Sequence, residues 1–221
     1  MICLQKNQFV YIPIAKNGST TFKTLLSNAG WEEINLLQTE LDLNTVKLWA
    51  HITHPERRHT KGLAEFLKRN PDIDFDYILK HDALAKVFIN SMVDAHSASI
   101  GVTLGPLCQL PIHWIPLDAK ILNYSTPEPT IVTGNDLTND FFIENGISVR
   151  VTNSDLRYQA SDQDKIIRQQ IDNLKEKFKV PADKILGDPV QTFFNYDLIL
   201  YFDVLERFTN KYTKKNRSWL N

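Results

Sequence analysis

The chain has 221 residues, of which 43% are hydrophobic and 23% charged, and a formal net charge of −1. That size and balance predict one soluble α/β domain spanning residues 1–221 with a core of ordinary size, and they argue against nucleic acid as the main partner, which calls for a basic excess. Cys3 and Cys108 stand alone, without CxxC or CxxH spacing, so neither a disulfide framework nor a structural zinc site is expected.

Strand character begins almost at the first residue, leaving no room for a leader with a charged start and an apolar middle, and no window reaches 18 apolar residues. The expectation is a cytoplasmic, soluble protein with no membrane partner.

Residues 9–14, Phe-Val-Tyr-Ile-Pro-Ile, read as a buried strand. From Ser19 the apolar residues Phe22, Leu25, Leu26 and Ala29 fall at helical spacing until Gly30 supplies a stop. Residues 16–21, Lys-Asn-Gly-Ser-Thr-Thr, are then a strand-to-helix turn. Such a turn presents unpaired N–H groups at the positive end of a helix dipole and receives anions well. Lys16 adds a cation, and Ser19, Thr20 and Thr21 add hydroxyl donors. The turn is not a Walker A loop, because Lys16 precedes Gly18 instead of standing directly before the hydroxyl residue. By itself it is also compatible with an ordinary capped helix carrying a solvated lysine.

Residues 31–43 read as a loop with a short edge strand, and residues 46–53 as a second strand that stops before Pro55. Pro55 at a first helical position and Glu56 in the first turn predict a helix, with Leu63, Phe66 and Leu67 on its buried face. Arg57, Arg58 and Lys61 lie in its first two turns.

The acidic residues Asp72, Asp74 and Asp76 do not form an EF-hand loop, since the sixth and twelfth positions are Tyr77 and Ala83. Residues 77–93 read as one helix. His81 and His96 flank it without a partner at metal-binding spacing and are read as structural histidines. Residues 100–110, rich in Gly and Pro, read as a loop leading to His113-Trp114-Ile115-Pro116. Strands are predicted over 120–124, 129–133 and 148–152, the second followed by Gly134-Asn135-Asp136-Leu137 and a short helix through Asn145-Gly146. An amphipathic helix over 162–178 and a terminal helix over 188–209 complete the chain.

The segment Ala15-Lys16-Asn17-Gly18-Ser19-Thr20 resembles the 5′-phosphosulfate loop of sulfotransferases that use 3′-phosphoadenosine 5′-phosphosulfate (PAPS), with Ala15 where that family has proline. The segment Thr53-His54-Pro55-Glu56-Arg57-Arg58-His59-Thr60-Lys61-Gly62 resembles the family's 3′-phosphate motif at Pro55, Arg58 and Gly62. It departs at Thr53, where the family has arginine, and at Lys61, where it has serine. His113-Trp114-Ile115-Pro116 is similar to the H-W-x-P element of the carbohydrate branch related to the chondroitin, dermatan and HNK-1 enzymes, and Asn153-Ser154 to an N-x-S turn near the nucleotide.

The resemblance implies a P-loop-like three-layer α/β fold, with a central, mostly parallel sheet flanked by helices. It implies a PAPS-dependent transferase acting on a hydroxyl acceptor, a carbohydrate by the branch it resembles, and needing no metal. Lys16 and His113 would be catalytic, the first at the leaving phosphate and the second as acceptor base. PAPS would be held by Lys16, Asn17, Gly18, Ser19, Thr20, Thr21, Arg58, Lys61, Asn153 and Ser154. A P-loop-like kinase or nucleotide hydrolase remains open beside this reading, as does an inactive module of the same fold that binds nucleotide or glycan. Acceptor identity and oligomeric state are not legible.

Overall fold

The structure, a computed structural model, describes residues 1–42, 45–91, 93–94, 96–124, 128–152, 161–179 and 189–213, the last without side chains before Asn195. The expected ligands Asn153 and Ser154 lie outside the described residues. The chain forms two compact units, each assembled from separated segments. Unit 1 comprises Met1–Thr53, Pro106–Arg157 and Ile199–Asn221, and unit 2 comprises His54–Gly105 and Tyr158–Leu198.

Unit 1 is built on a five-stranded sheet. Its strands are β1 (Ile2–Lys6), β2 (Phe9–Tyr11), β3 (Glu32–Asn35), β4 (Lys47–Ile52) and β5 (His113–Pro116), arranged β3-β1-β2-β4-β5. Strand β1 runs antiparallel to both β2 and β3, whereas β2, β4 and β5 are mutually parallel. The sheet is therefore mixed, which corrects the mostly parallel sheet expected from the sequence. The reversal comes from a tight turn in which Asn7 takes a left-handed φ of 52°, so that β1 folds back on β2 as a hairpin.

Helix α1 (Ser19–Asn28) follows β2 and buries Phe22 and Leu26. A separate hairpin of β6 (Lys120–Asn123) and β7 (Thr130–Thr133) leads into α6 (Gly134–Glu144). There Thr133 and Asp136 satisfy each other's backbone in a capping box. Gly134 is required by space, since a Cβ there would lie 2.1 Å from the Leu117 carbonyl oxygen. Tyr11, Phe22, Trp31, Trp49, Phe141 and Phe142 dominate the core of this unit.

Residues 148–152 do not form the strand expected of them. Their backbone is held by a side chain instead: Val151 N–H donates to Asn139 Oδ1 at 2.8 Å, and Asn139 Nδ2 donates to Val151 O at 3.0 Å.

Unit 2 is helical. Helix α2 (Pro55–Arg69) starts at Pro55 as the sequence predicts, and its apolar face packs with α4 (Asp82–Ile89) and α7 (Asp162–Lys177) through Leu63, Leu67, Phe88, Ile171 and Leu174. The single helix expected over 77–93 is two. Helix α3 (Phe75–Lys80) ends at His81, whose extended backbone (φ −120°, ψ 98°) starts α4 in a new direction. The expected loop at 100–110 contains α5 (Ile100–Leu104), capped by Ser99, and a 3₁₀ turn, Gly105–Gln109. Helix α8 (Pro189–Thr213) begins in unit 2 and ends in unit 1. Among the described residues no helix is long and apolar enough to cross a membrane.

Candidate functional site

In unit 1 the turn between β2 and α1 lies beyond the carboxyl end of β2, where parallel α/β sheets receive ligands. Two left-handed residues shape it, Lys16 (φ 64°) and Gly18 (φ 76°). Gly18 is the N-cap of α1, and no side chain caps that end; the first turn also contains no acidic residue. The amides of Ser19, Thr20 and Thr21 are thus first-turn donors of the kind that helices leave for water or an anion. A Cβ at Gly18 would be strained by the left-handed φ and would lie 2.7 Å from Leu117 Cδ2, so that leucine would have to shift.

Asn17 has a different role from the ligand the sequence suggested. It is fully buried. Its Nδ2 donates to His51 O at 2.9 Å, and its Oδ1 accepts from Thr53 N–H at 3.2 Å and Thr53 Oγ1 at 2.7 Å. Asn17 therefore ties the loop to the end of β4, with Thr53 as its partner. This leaves Lys16, Gly18, Ser19, Thr20 and Thr21 as the loop's means of holding an anion.

The loop and His113 are not brought together. His113 opens β5 level with Trp49, four residues before the Leu117 that packs on Gly18. At strand rise that is about 13 Å. The His113 ring stacks on Phe141, 4.7 Å between centroids, and burial lowers its pKa with Glu144 partly opposing. It borders a cleft of about 230 Å³ floored by Leu137, Phe141 and Phe208 and rimmed by Glu144, Arg207 and Lys211.

In unit 2, Arg58 is 1% exposed. Its Nη1 donates to the Ala98 carbonyl oxygen and lies 4.0 Å from Asp197 Oδ2. Burial lowers the Arg58 pKa against the pull of Asp197, and burial also pushes the Asp197 carboxyl up to about 6. Both Asp197 oxygens accept the Ile100 N–H, at 3.0 and 2.8 Å. The guanidinium expected to face a 3′-phosphate is thus engaged in holding residues 98–100. Lys61, one turn further along α2, is partly exposed.

The sequence missed the cluster beside it. Asp94 Oδ2 lies 2.9 Å from His96 Nδ1, while Asp94 Oδ1 accepts the backbone N–H of His96 at 2.8 Å and of Ser97 at 3.1 Å. Its signal in the sequence is the Asp94-x-His96 spacing, which is not a metal-binding spacing. Among the described residues no group of three or more His, Cys, Asp or Glu side chains is gathered to hold a metal ion. In comparisons with known proteins, no family model, no curated protein and no solved structure matches this chain.

Proposed function

We propose that this chain is a sulfotransferase that moves a sulfuryl group from PAPS to a hydroxyl, that of a carbohydrate in the branch it resembles. The observation that supports the reading is the β2–α1 turn, left-handed at Lys16 and Gly18 and opening an uncapped helix with no acid in its first turn. Its donors suit an anion of the size of a phosphosulfate: the Ser19 to Thr21 amides, the Ser19 and Thr20 hydroxyls and the Lys16 ammonium.

In the transfer the acceptor oxygen forms a bond to sulfur as the bond from sulfur to the 5′-phosphate oxygen breaks. Negative charge gathers on that leaving oxygen. Lys16 and the helix amides lower the barrier by stabilising this charge at fixed positions, and the rest of the catalysis is alignment of donor and acceptor.

The test is transfer of labelled sulfate from PAPS to a panel of glycans bearing free hydroxyls. Wild-type protein is expected to label at least one, and Lys16→Ala to lower kcat about 10²- to 10³-fold, the usual loss when one stabilising donor is removed. Equal labelling by Lys16→Ala, or turnover of ATP with Mg²⁺ and none of PAPS, contradicts the proposal.

A further inference from the structure

The cleft beside His113 lies wholly within unit 1, between β5, α6 and the end of α8. Each helix gives it one face. Leu137, Phe141 and Glu144 follow one another at steps of four and three on α6, and Val204, Phe208 and Lys211 repeat those steps on α8. Both faces therefore run from aliphatic through aromatic to charged. Glu144 and Lys211 meet across the rim, with Lys211 Nζ donating to Glu144 Oε1 at 2.6 Å. Leu137, Phe141 and Val204 are buried, so the floor is preformed, as ligand pockets usually are.

The size of the cleft limits what it can take. At about 230 Å³ it exceeds an apolar cavity of roughly 150 Å³ that binds benzene, and it falls below the pockets of about 300 Å³ or more that take drug-sized ligands. One ring with a short substituent suits that space. The His113 ring stacks on Phe141 and meets Phe208 edge-on, 6.2 Å between centroids, so three rings stand together at the site. A planar aromatic ring packs offset or edge-on against such faces. A sugar ring set on Leu137, Phe141 and Val204 would instead give up hydrogen bonds to water with no replacement from those side chains.

The charge at the rim favours an anion. Arg207 and Lys211 stand four residues apart on one face of α8, a spacing at which like charges repel. Arg207 donates through Nη2 to Asp203, and Lys211 donates to Glu144, both in exposed pairs of the kind that contribute little. A guanidinium has five N–H donors and an ammonium three, so most of the donors stay open to a ligand. The charges around His113 are the cations Lys47, Arg207 and Lys211 against the single carboxylate of Glu144.

We propose that this cleft binds a small aromatic carboxylate, with its ring against Phe141 and Phe208 and its carboxylate at the rim on Arg207 and Lys211. The site is separate from the β2–α1 turn, and either can fail without the other.

The test is titration calorimetry of the full chain with phenylacetate. Its neutral counterpart phenylacetamide, acetate, which has no ring, and glucuronate, a sugar ring with a carboxylate, are titrated beside it. Phenylacetate is expected to bind at one site with a Kd of about 1 mM or tighter, and phenylacetamide at least about tenfold more weakly, for want of the charge-assisted bonds. Acetate and glucuronate bind more weakly than phenylacetate. In the double variant Arg207→Gln with Lys211→Gln the acid and the amide bind equally, while affinity for the amide is unchanged, which also shows that the variant is folded.

No binding of phenylacetate up to about 10 mM overturns the proposal. So does equal binding of acid and amide by wild type, or a preference for the acid that survives in the double variant. Tighter binding of glucuronate than of phenylacetate overturns the aromatic occupant in favour of a sugar acid.

Discussion

Acidification should weaken unit 1 through its buried His51, with His113, whose pKa burial also lowers, acting in the same direction. His51 is 1% exposed, its ring stacked on Phe22 at 3.8 Å, with Nε2 3.1 Å from Thr138 Oγ1. The Thr138 hydroxyl proton is given to Gly134 O at 2.8 Å, so His51 Nε2 donates to Thr138. Burial pushes its pKa down to about 3 from the ordinary 6.5. Between those two values the unfolded chain binds a proton that the folded chain refuses. The stabilisation is then complete above about pH 6.5 and falls by roughly 1.4 kcal/mol per unit as the pH drops, a loss of about 2 kcal/mol between pH 7 and pH 5.

The assay is urea unfolding at both pH values, followed by the fluorescence of Trp31, Trp49 and Trp114, all in unit 1. His51→Gln lowers stability at both because it loses the ring stacking, but its pH dependence should be flatter by about 2 kcal/mol than that of wild type. Equal pH dependence in the two proteins would refute the reasoning. His59 in unit 2, pushed to about 3 by burial and the nearby Lys175, acts in the same direction. Asp197, raised to about 6, acts oppositely, its folded form taking up a proton between about pH 6 and 3.8. The difference between wild type and variant isolates His51 from both.

Three further outcomes are expected. Gly62→Ala forces a Cβ to within 2.3 Å of a backbone oxygen and should cost about 1–3 kcal/mol, read as a lower urea midpoint, because backbone cannot yield as a side-chain tip does. Asn17→Ala removes three buried hydrogen bonds at the turn between β2 and α1. It should cost about 3 kcal/mol and weaken anion binding in titration calorimetry, although the side chain faces away from any ligand. Arg58→Met leaves Asp197 buried without its cation, for an expected loss of about 3–5 kcal/mol, while the double variant Arg58→Met with Asp197→Leu recovers much of it in the same unfolding assay.

The legible parts of the fold were those written locally. The apolar run of β2, the Pro55 start of α2 and the Asp162–Lys177 helix carry their patterns within a few residues. Strand direction is not written that way. Nothing in residues 2–6 says that they pair antiparallel on both sides, a choice made by the turn at Asn7 and by distant partners. The break at His81 was hidden because apolar residues keep helical spacing across it. Val149 and Val151 alternate as a strand would, yet Asn139 supplies the partner groups that a neighbouring strand would otherwise provide.

Among candidate site residues, the place of Lys16 to Thr21 between strand and helix was readable because an apolar run passes directly into helical spacing. The task of Asn17 was not, since its partners His51 and Thr53 lie more than 30 residues away. Arg58 reads as a phosphate ligand by the motif it resembles, and its burial beside Asp197 depends on residues more than 30 positions away. His96 reads as structural for want of a partner at metal-binding spacing, and its partner Asp94 lies two residues away in a turn.

The most direct measurement is thermal unfolding with 3′-phosphoadenosine 5′-phosphate, set against ATP with Mg²⁺, for wild type and Lys16→Ala. At a hundred times its dissociation constant a ligand adds about 2.7 kcal/mol, which for a chain of this size is a rise of roughly 5–10 °C. A rise of that order with the 3′-phosphorylated nucleotide, absent with ATP and much reduced in Lys16→Ala, is the predicted result. A rise with ATP and Mg²⁺ alone, or one that Lys16→Ala leaves intact, would contradict a PAPS site at this loop.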